Sequence, residues 1–359
     1  MYVTDGGFPF QMQALAGLVG RLTVVFPEVG GSEMPEGGMP IPADNVAYEP
    51  LPWRGGARRK VAILWNHLRN LGRYRRLLQQ ADAVHCPVPS HVSMVPMVLA
   101  LLMRKPLLVR YCGDFRRPKT LVQRWLVALM KATARRRCVS YLATGLDDQP
   151  PHPHIPWIFA TSLHETDLNA PLLPAPDPPL MAWVGRLDAN KGVDTLLHLI
   201  SQAAAAGKPW KWLVVGDGLM RDRMAAAAAH FPLLEWHAYL PHAALMARLR
   251  SASLLLFTSR SEGFPKVILE AMAAGLPIAA FPISPLPALQ KEGARIFQLP
   301  EDAQDQLSLI QAVLESPEMP EYRRRNRAIA RRFSLDAWQA ELQKAIERLS
   351  QRCPTASSE

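Results

Sequence analysis

Short, continuously apolar runs alternate with helical patterns along this chain. SLLLFTS at 253–259 is one such run, hydrophobic at every central position, as in a strand buried on both faces. The alternation predicts parallel βαβ construction and an α/β fold. In the first half the expected strands are 2–4, 22–26, 61–64, 83–85, 107–111 and 141–143, with helices at 11–19, 68–80, 92–103 and 120–137. In the second half they are 180–184, 212–215, 234–237, 253–258, 278–281 and 295–298. Helices are expected there at 192–205, 219–230, 243–251, 266–274, 303–316, 321–333 and 335–352. Between the halves, APLLPAPDPPL at 170–180 places five prolines between Pro171 and Pro179, which no regular element tolerates. It reads as a linker between two Rossmann-like, doubly wound domains, 1–169 and 181–334. A tail at 353–359 is expected to be disordered.

SRSEGFPKVILEAMAAGLP, 259–277, carries the densest chemistry. A buried strand runs into it, Gly263 and Pro265 open a helix, and Gly275 closes it. A strand, a tight turn and a helix N-terminus form a site for an anion. Glu262 in the loop and Glu270 in the helix are acceptor-only when ionised, so they suit hydroxyl groups rather than phosphate. Phosphate and hydroxyls together suggest a nucleotide sugar; solvated glutamates on an ordinary α/β unit are the plain alternative. The string Glu262, Gly263, Phe264, Pro265, Glu270, Ala271, Ala274, Gly275 and Pro277 closely resembles the signature of retaining GT-B glycosyltransferases, family 4 in particular.

Two further motifs lie upstream. In MAWVGRLDANKGVDTLL, 181–197, a strand ends at Val184 and Gly185 turns the chain. Arg186 and Lys191 then stand before a helix, at the edge where doubly wound sheets bind ligands, and such a cation pair suits a diphosphate. It is similar to the family's Gly-Arg…Lys-Gly motif. WLVVGDGLMRDRM, 212–224, supplies a glycine turn at Gly216-Asp217-Gly218. The three motifs follow the family's order over residues 180–282.

The resemblance implies the roles. Arg186 and Lys191 neutralise the donor diphosphate as it leaves, Glu262 faces the donor sugar, and Glu270 accepts from the ribose hydroxyls. Gly185, Gly216 and Asp217 line the nucleotide pocket, and backbone near Tyr239 and Leu240 holds the base, with Ala238 where the family usually has glycine. Backbone of Gly263, Phe264 and Pro265 touches sugar and phosphate. In the first domain Gly6 and Gly7 form the loop that approaches the diphosphate. Cys112 stands where many members have a histidine, which leaves Asp114 as the substitute that holds or deprotonates the acceptor; His85 and His91 are weaker cleft candidates. Helix 335–352 crosses back onto the first domain. No cofactor and no metal are expected, since the cations replace one. A decayed transferase that only binds nucleotide sugars, and an epimerase of the same fold, are the alternatives.

Charge refines the choice of partner. The net charge is +10, but residues 51–137 hold 19 lysines and arginines against Asp82 and Asp114. That field favours an anionic partner: a membrane surface, or a phosphate-bearing, lipid-linked glycan acceptor. Nucleic acid is not expected, because aromatic residues do not interleave with the charge. The start MYVTDGGFPF lacks the basic segment and apolar run of a signal peptide, and VSMVPMVLALLM at 92–103 is too short to span a bilayer. The four cysteines show no metal-ligand spacing and read as reduced thiols. These features point to a cytoplasmic protein, peripheral at the inner face of the cell membrane, acting on a UDP- or GDP-sugar.

Overall fold

The computed structural model describes residues 8–28, 44–52, 59–90 and 92–353. The chain divides into two compact units, one running to Ala160 and resuming at Asp336, the other Thr161–Leu335.

The first unit begins with α1 (Phe8–Ala16), β1 (Leu22–Glu28) and β2 (Val46–Pro52), the two strands forming a parallel pair. Then come α2 (Arg59–Gln80), β3 (Val84–Val88), α3 (Met94–Leu102), β4 (Leu107–Tyr111), α4 (Leu121–Thr133), β5 (Val139–Thr144) and β6 (Trp157–Ile158). Strands β3-β4-β5-β6 make a parallel sheet in that order. Alternation of side chains sorts the core into two layers. Leu107, Val109, Tyr111 and Tyr141 pack with Leu78, Met97, Leu126 and Met130 from α2, α3 and α4. Leu108 and Leu142 point the other way, into a cluster with Met12 and Leu15 of α1.

The second unit contains α5 (Glu165–Asn169), β7 (Leu180–Val184), α6 (Val193–Ala205), β8 (Lys211–Val215), α7 (Arg221–His230), β9 (Leu234–His237) and α8 (His242–Arg250). It continues through β10 (Leu254–Phe257), α9 (Lys266–Ala273), β11 (Ile278–Ala280), α10 (Leu286–Lys291), β12 (Ile296–Gln298), α11 (Ala303–Leu314) and α12 (Met319–Ala330). Its six strands are all parallel, in the order β12-β11-β10-β7-β8-β9. The chain winds outward from β7 to β9, then returns to start the other half at β10. The seam between β7 and β10 is therefore the topological switch point, where doubly wound sheets open a crevice at their carboxyl ends.

The last helix, α13 (Leu335–Arg352), packs in the first unit. Trp338, Leu342, Ala345 and Leu349 recur at helical spacing and join the cluster of Met12 and Leu15.

Several expectations change. The predicted strand at 61–64 lies inside α2, since a four-residue apolar run cannot by itself be told from helix. The strand role falls to Val46–Pro52, where Pro50 and Pro52 argue against a strand from sequence. β2 pairs on one side only, so the missing N–H groups cost no ladder bond on the open side. The expected strand at 2–4 lies outside the described residues. The proline-rich stretch at 170–180 is not the boundary, which falls at 160/161. Arg327 Nε and an Nη donate to the Leu168 carbonyl at 3.0 and 2.6 Å, tying the start of that stretch to the second unit.

The cysteines are also corrected. Cys138 and Cys353 form a disulfide, with Cα atoms 4.8 Å apart and a sequence separation of 215. Spacing could not reveal it, because only the docking of α13 brings Cys353 beside the start of β5. Cys86 is buried and Cys112 exposed as free thiols. Cys353 bonds back to Leu349 at the end of α13 rather than belonging to a loose tail; 354–359 lie outside the described residues. Reduction, or Cys353→Ser, is expected to destabilise the protein by about 2–5 kcal/mol. Thermal melts with and without reductant check this, and coincident midpoints would refute it.

Candidate active site at the carboxyl edge of the second sheet

Thr258, the residue after β10, joins the two loops at the switch point. Its hydroxyl accepts from the Trp183 indole N–H at 2.9 Å and donates to the Lys191 carbonyl at 2.8 Å. Trp183 belongs to β7, and Lys191 ends the short turn that leads into α6. Gly192 follows with φ 72°, and a Cβ there would lie 2.2 Å from the Thr258 carbonyl oxygen. Only glycine fits, for conformation and for space.

Backbones also close up between β7 and β8. Gly185 donates to Val215 at 3.0 Å, and a Cβ on Gly216 would lie 1.8 Å from the Gly185 oxygen. Gly216 in turn donates to His237 at 2.8 Å, so the ends of β7, β8 and β9 are stitched side by side. Asp217 is exposed, and its carboxylate accepts from Gly218 N–H at 2.8 Å and from Arg221 at 2.7 Å. It orders the turn that starts α7. Tyr239 and Leu240 follow β9 and are half-buried.

The charged residues separate into three environments. Lys191 Nζ donates to Glu262 Oε1, an oxygen that also accepts from Ser259 Oγ at 2.7 Å, and both side chains are largely shielded, at 21% and 14% exposure. Arg186 stands at the rim with its side chain 76% exposed, 3.5 Å from Asp188. Glu270 lies in the second turn of α9, buried, and accepts from the Ser162 hydroxyl. Gly263, Phe264 and Pro265 lead into that helix, with Phe264 buried against Phe333. The first N–H groups of α9 have no acceptor within the helix, which leaves a partial positive end at this loop.

Sequence reasoning missed the group behind Glu270. His242 Nδ1 is 4.0 Å from Glu270, and its Nε2 lies 2.9 Å from Asp167. Asp167 also accepts from the His164 backbone N–H at 3.0 Å. Burial alone would push the His242 imidazole down, but the Asp167 hydrogen bond and the Glu270 and Asp167 charges outweigh it and hold its pKa above the ordinary 6.5. For Asp167 burial pushes upward, and the bonds from His242 and His164 outweigh it, holding the carboxyl below 3.8. The His242 ring thus sits between two carboxylates and holds Glu270 in place. Ser162 is 108 residues from Glu270, and Asp167 is 75 from His242, so no local motif marks them.

The family model described as glycosyl transferases group 1 matches residues 165–332, which hold this arrangement apart from Ser162 and His164. That segment is similar to the group 1 glycosyl transferases. The alpha-D-kanosaminyltransferase of Streptomyces kanamyceticus is 23% identical over 329 residues, 83% of this chain and 84% of the relative. The 2-deoxystreptamine glucosyltransferase of the same organism is 30% identical over a shorter stretch, 40% of this chain and 38% of that one. Among solved structures, HepE of Anabaena in complex with UDP and glucose superposes with a TM-score of 0.66 at 16% identity, over 96% of this chain and 98% of that one. The expected GT-B fold class stands.

The first unit presents fewer marked groups. Asp114 follows β4, and one of its oxygens accepts the N–H groups of Arg116 and Arg117 at 3.0 and 2.9 Å, so it shapes a turn. Burial and then the Arg110 charge push the His85 imidazole down to about 3, which keeps it neutral. Gly6, Gly7 and His91 lie outside the described residues.

The histidine clamp makes a pH prediction. The contribution of His242 to stability is complete below 6.5 and is lost as pH rises through its raised folded value. That of Asp167 is present above 3.8 and is lost as pH falls through its lowered value. Melting temperature is therefore expected to drop as pH rises above 6.5, and His242→Gln to flatten that drop. Equal slopes in the two proteins would refute the clamp.

Proposed function

We propose that this protein is a group 1 glycosyl transferase that moves a hexosyl group, with retention, from a UDP- or GDP-activated donor to a glycan or lipid-linked acceptor, without a metal ion. One observation carries the reading. At the switch point Lys191, in the loop after β7, meets Glu262, in the loop after β10 that leads into α9. A structural relative of the same fold is complexed with UDP and glucose, which favours a uridine donor.

Breaking the bond from sugar C1 to the phosphate oxygen leaves an electron pair on the diphosphate and positive charge on the sugar. Lys191, Arg186 and the α9 N-terminus stabilise the diphosphate where its charge grows. The acceptor hydroxyl adds to C1 from the same face and passes its proton to the departing phosphate oxygen, with Asp114 as the residue assigned to hold that hydroxyl. Glu270 accepts from the ribose diol. Glu262 neutralises Lys191 until a diphosphate competes for the cation, and is then free to accept from sugar hydroxyls. The Gly216 turn and the backbone at Tyr239 and Leu240 take the nucleotide. Synthesis of a polysaccharide, lipopolysaccharide or glycolipid at the cytoplasmic face of a membrane fits a basic first unit. Among the described residues no helix is long and apolar enough to cross a membrane.

Two tests follow. Glu270→Ala is expected to weaken UDP or GDP binding by about 10- to 100-fold in calorimetry, as expected for lost charge-assisted hydrogen bonds. Unchanged affinity for both nucleotides would sink the ribose role. Lys191→Ala is expected to lower turnover about 100-fold, on the order of 3 kcal/mol, with a smaller change in affinity. Separately, donor turnover by chelator-treated enzyme is expected to equal that of untreated enzyme; loss restored by magnesium or manganese would overturn metal independence.

A further inference from the structure

The outer face of the helical layer on the first unit has an unusual composition. Its inner face is well tied: Tyr74 and Leu78 of α2 are buried, and Asn70 donates to the Pro52 carbonyl at 3.2 Å. Outward, Leu64, Trp65 and Leu68 of α2 are 61%, 60% and 53% exposed. Leu121, Val122 and Trp125, in the first turns of α4, are 80%, 50% and 50% exposed. Scattered single apolar residues need no explanation, but two Trp–Leu groups on helices of one layer do.

Topology brings both groups to one end. α4 connects parallel strands β4 and β5, so it runs against them and begins at the carboxyl edge of that sheet. The far end of α2 is pinned at the opposite edge, where Lys105, just before β4, bonds the Gln79 and Ala81 carbonyls at 3.1 and 2.8 Å. The early turns of α2 therefore reach toward the carboxyl edge, as α4 does. α2, α3 and α4 all cover the same sheet face.

Charge selects the occupant. Helices α2, α3 and α4 contain no Asp or Glu. Arg73 and Arg76 approach Glu49, and Arg116 pairs with Asp147. Exposed Arg69, Arg75, Arg117 and Arg124 have no carboxylate partner among the described residues. A face that offers tryptophan and leucine beside arginine, with no acid, complements an interface of apolar chains beneath negative headgroups. We infer that the first turns of α2 and α4 form a docking surface for an anionic lipid bilayer, with Trp65 and Trp125 entering the headgroup region. This surface is independent of the donor site, and its vesicle-binding readout needs neither donor nor acceptor.

The full chain is sedimented with vesicles of phosphatidylcholine alone or with about 30 mol% phosphatidylglycerol, at about 0.1 and 0.5 M salt. Wild type is expected to bind the anionic vesicles at least about tenfold more tightly, and less at high salt. The double variant Trp65→Ser/Trp125→Ser is expected to lose about tenfold or more of that binding, with its melting temperature and donor hydrolysis unchanged. No binding to anionic vesicles, or equal binding by variant and wild type, would overturn the proposal. So would light scattering that finds a dimer which the variant breaks, since a second copy would then occupy the face.

Discussion

A single hydroxyl holds the reactive end of the second unit together. Thr258 receives the Trp183 indole proton and gives its own to the Lys191 carbonyl, so the loop after β10 and the loop after β7 share one buried hydrogen-bonded node. Gly192 then presses against the Thr258 carbonyl at a distance no side chain permits. Because the two loops are fastened there, Lys191 and Glu262 meet across 71 residues of sequence, and the start of α9 stands beside the cation. The node is local, but it decides which charges can act on one ligand.

The two glutamates of the signature do different physical work. Glu262 shares its oxygen between a lysine and a serine near solvent, an arrangement that a diphosphate can exchange. Glu270 is buried, bonded by Ser162 and backed by an imidazole that Asp167 holds in position. A carboxylate so enclosed is costly to bury and cannot easily turn away, which suits recognition of fixed hydroxyls. One acid is exchangeable and the other preorganised.

The first unit follows another logic. Its helices bury one face on the sheet and leave the other basic and partly apolar. Its remaining sheet face is covered by α1 and by a helix drawn from the far end of the chain. The Cys138–Cys353 bridge fastens that helix at its end. The unit is thus closed by tertiary contacts rather than by contiguous sequence.

What the sequence determined by itself was whatever depends on neighbours in the chain. Parallel strands buried on both faces read as continuous apolar runs, so all six strands of the second unit were legible, with Gly185, Lys191, Gly216, Glu262 and Glu270 placed on their turns and helices. The stripe Trp338, Leu342, Ala345 and Leu349 likewise announced an amphipathic helix. Only the tertiary structure decided that residues 61–64 continue α2, that a proline-containing segment serves as an edge strand, and that the units part at 160/161. It alone joined Cys138 to Cys353, Ser162 to Glu270 and Asp167 to His242. Periodicity and turn chemistry act over a few residues, whereas a partner 75 to 215 positions away is chosen by the packing of the whole unit.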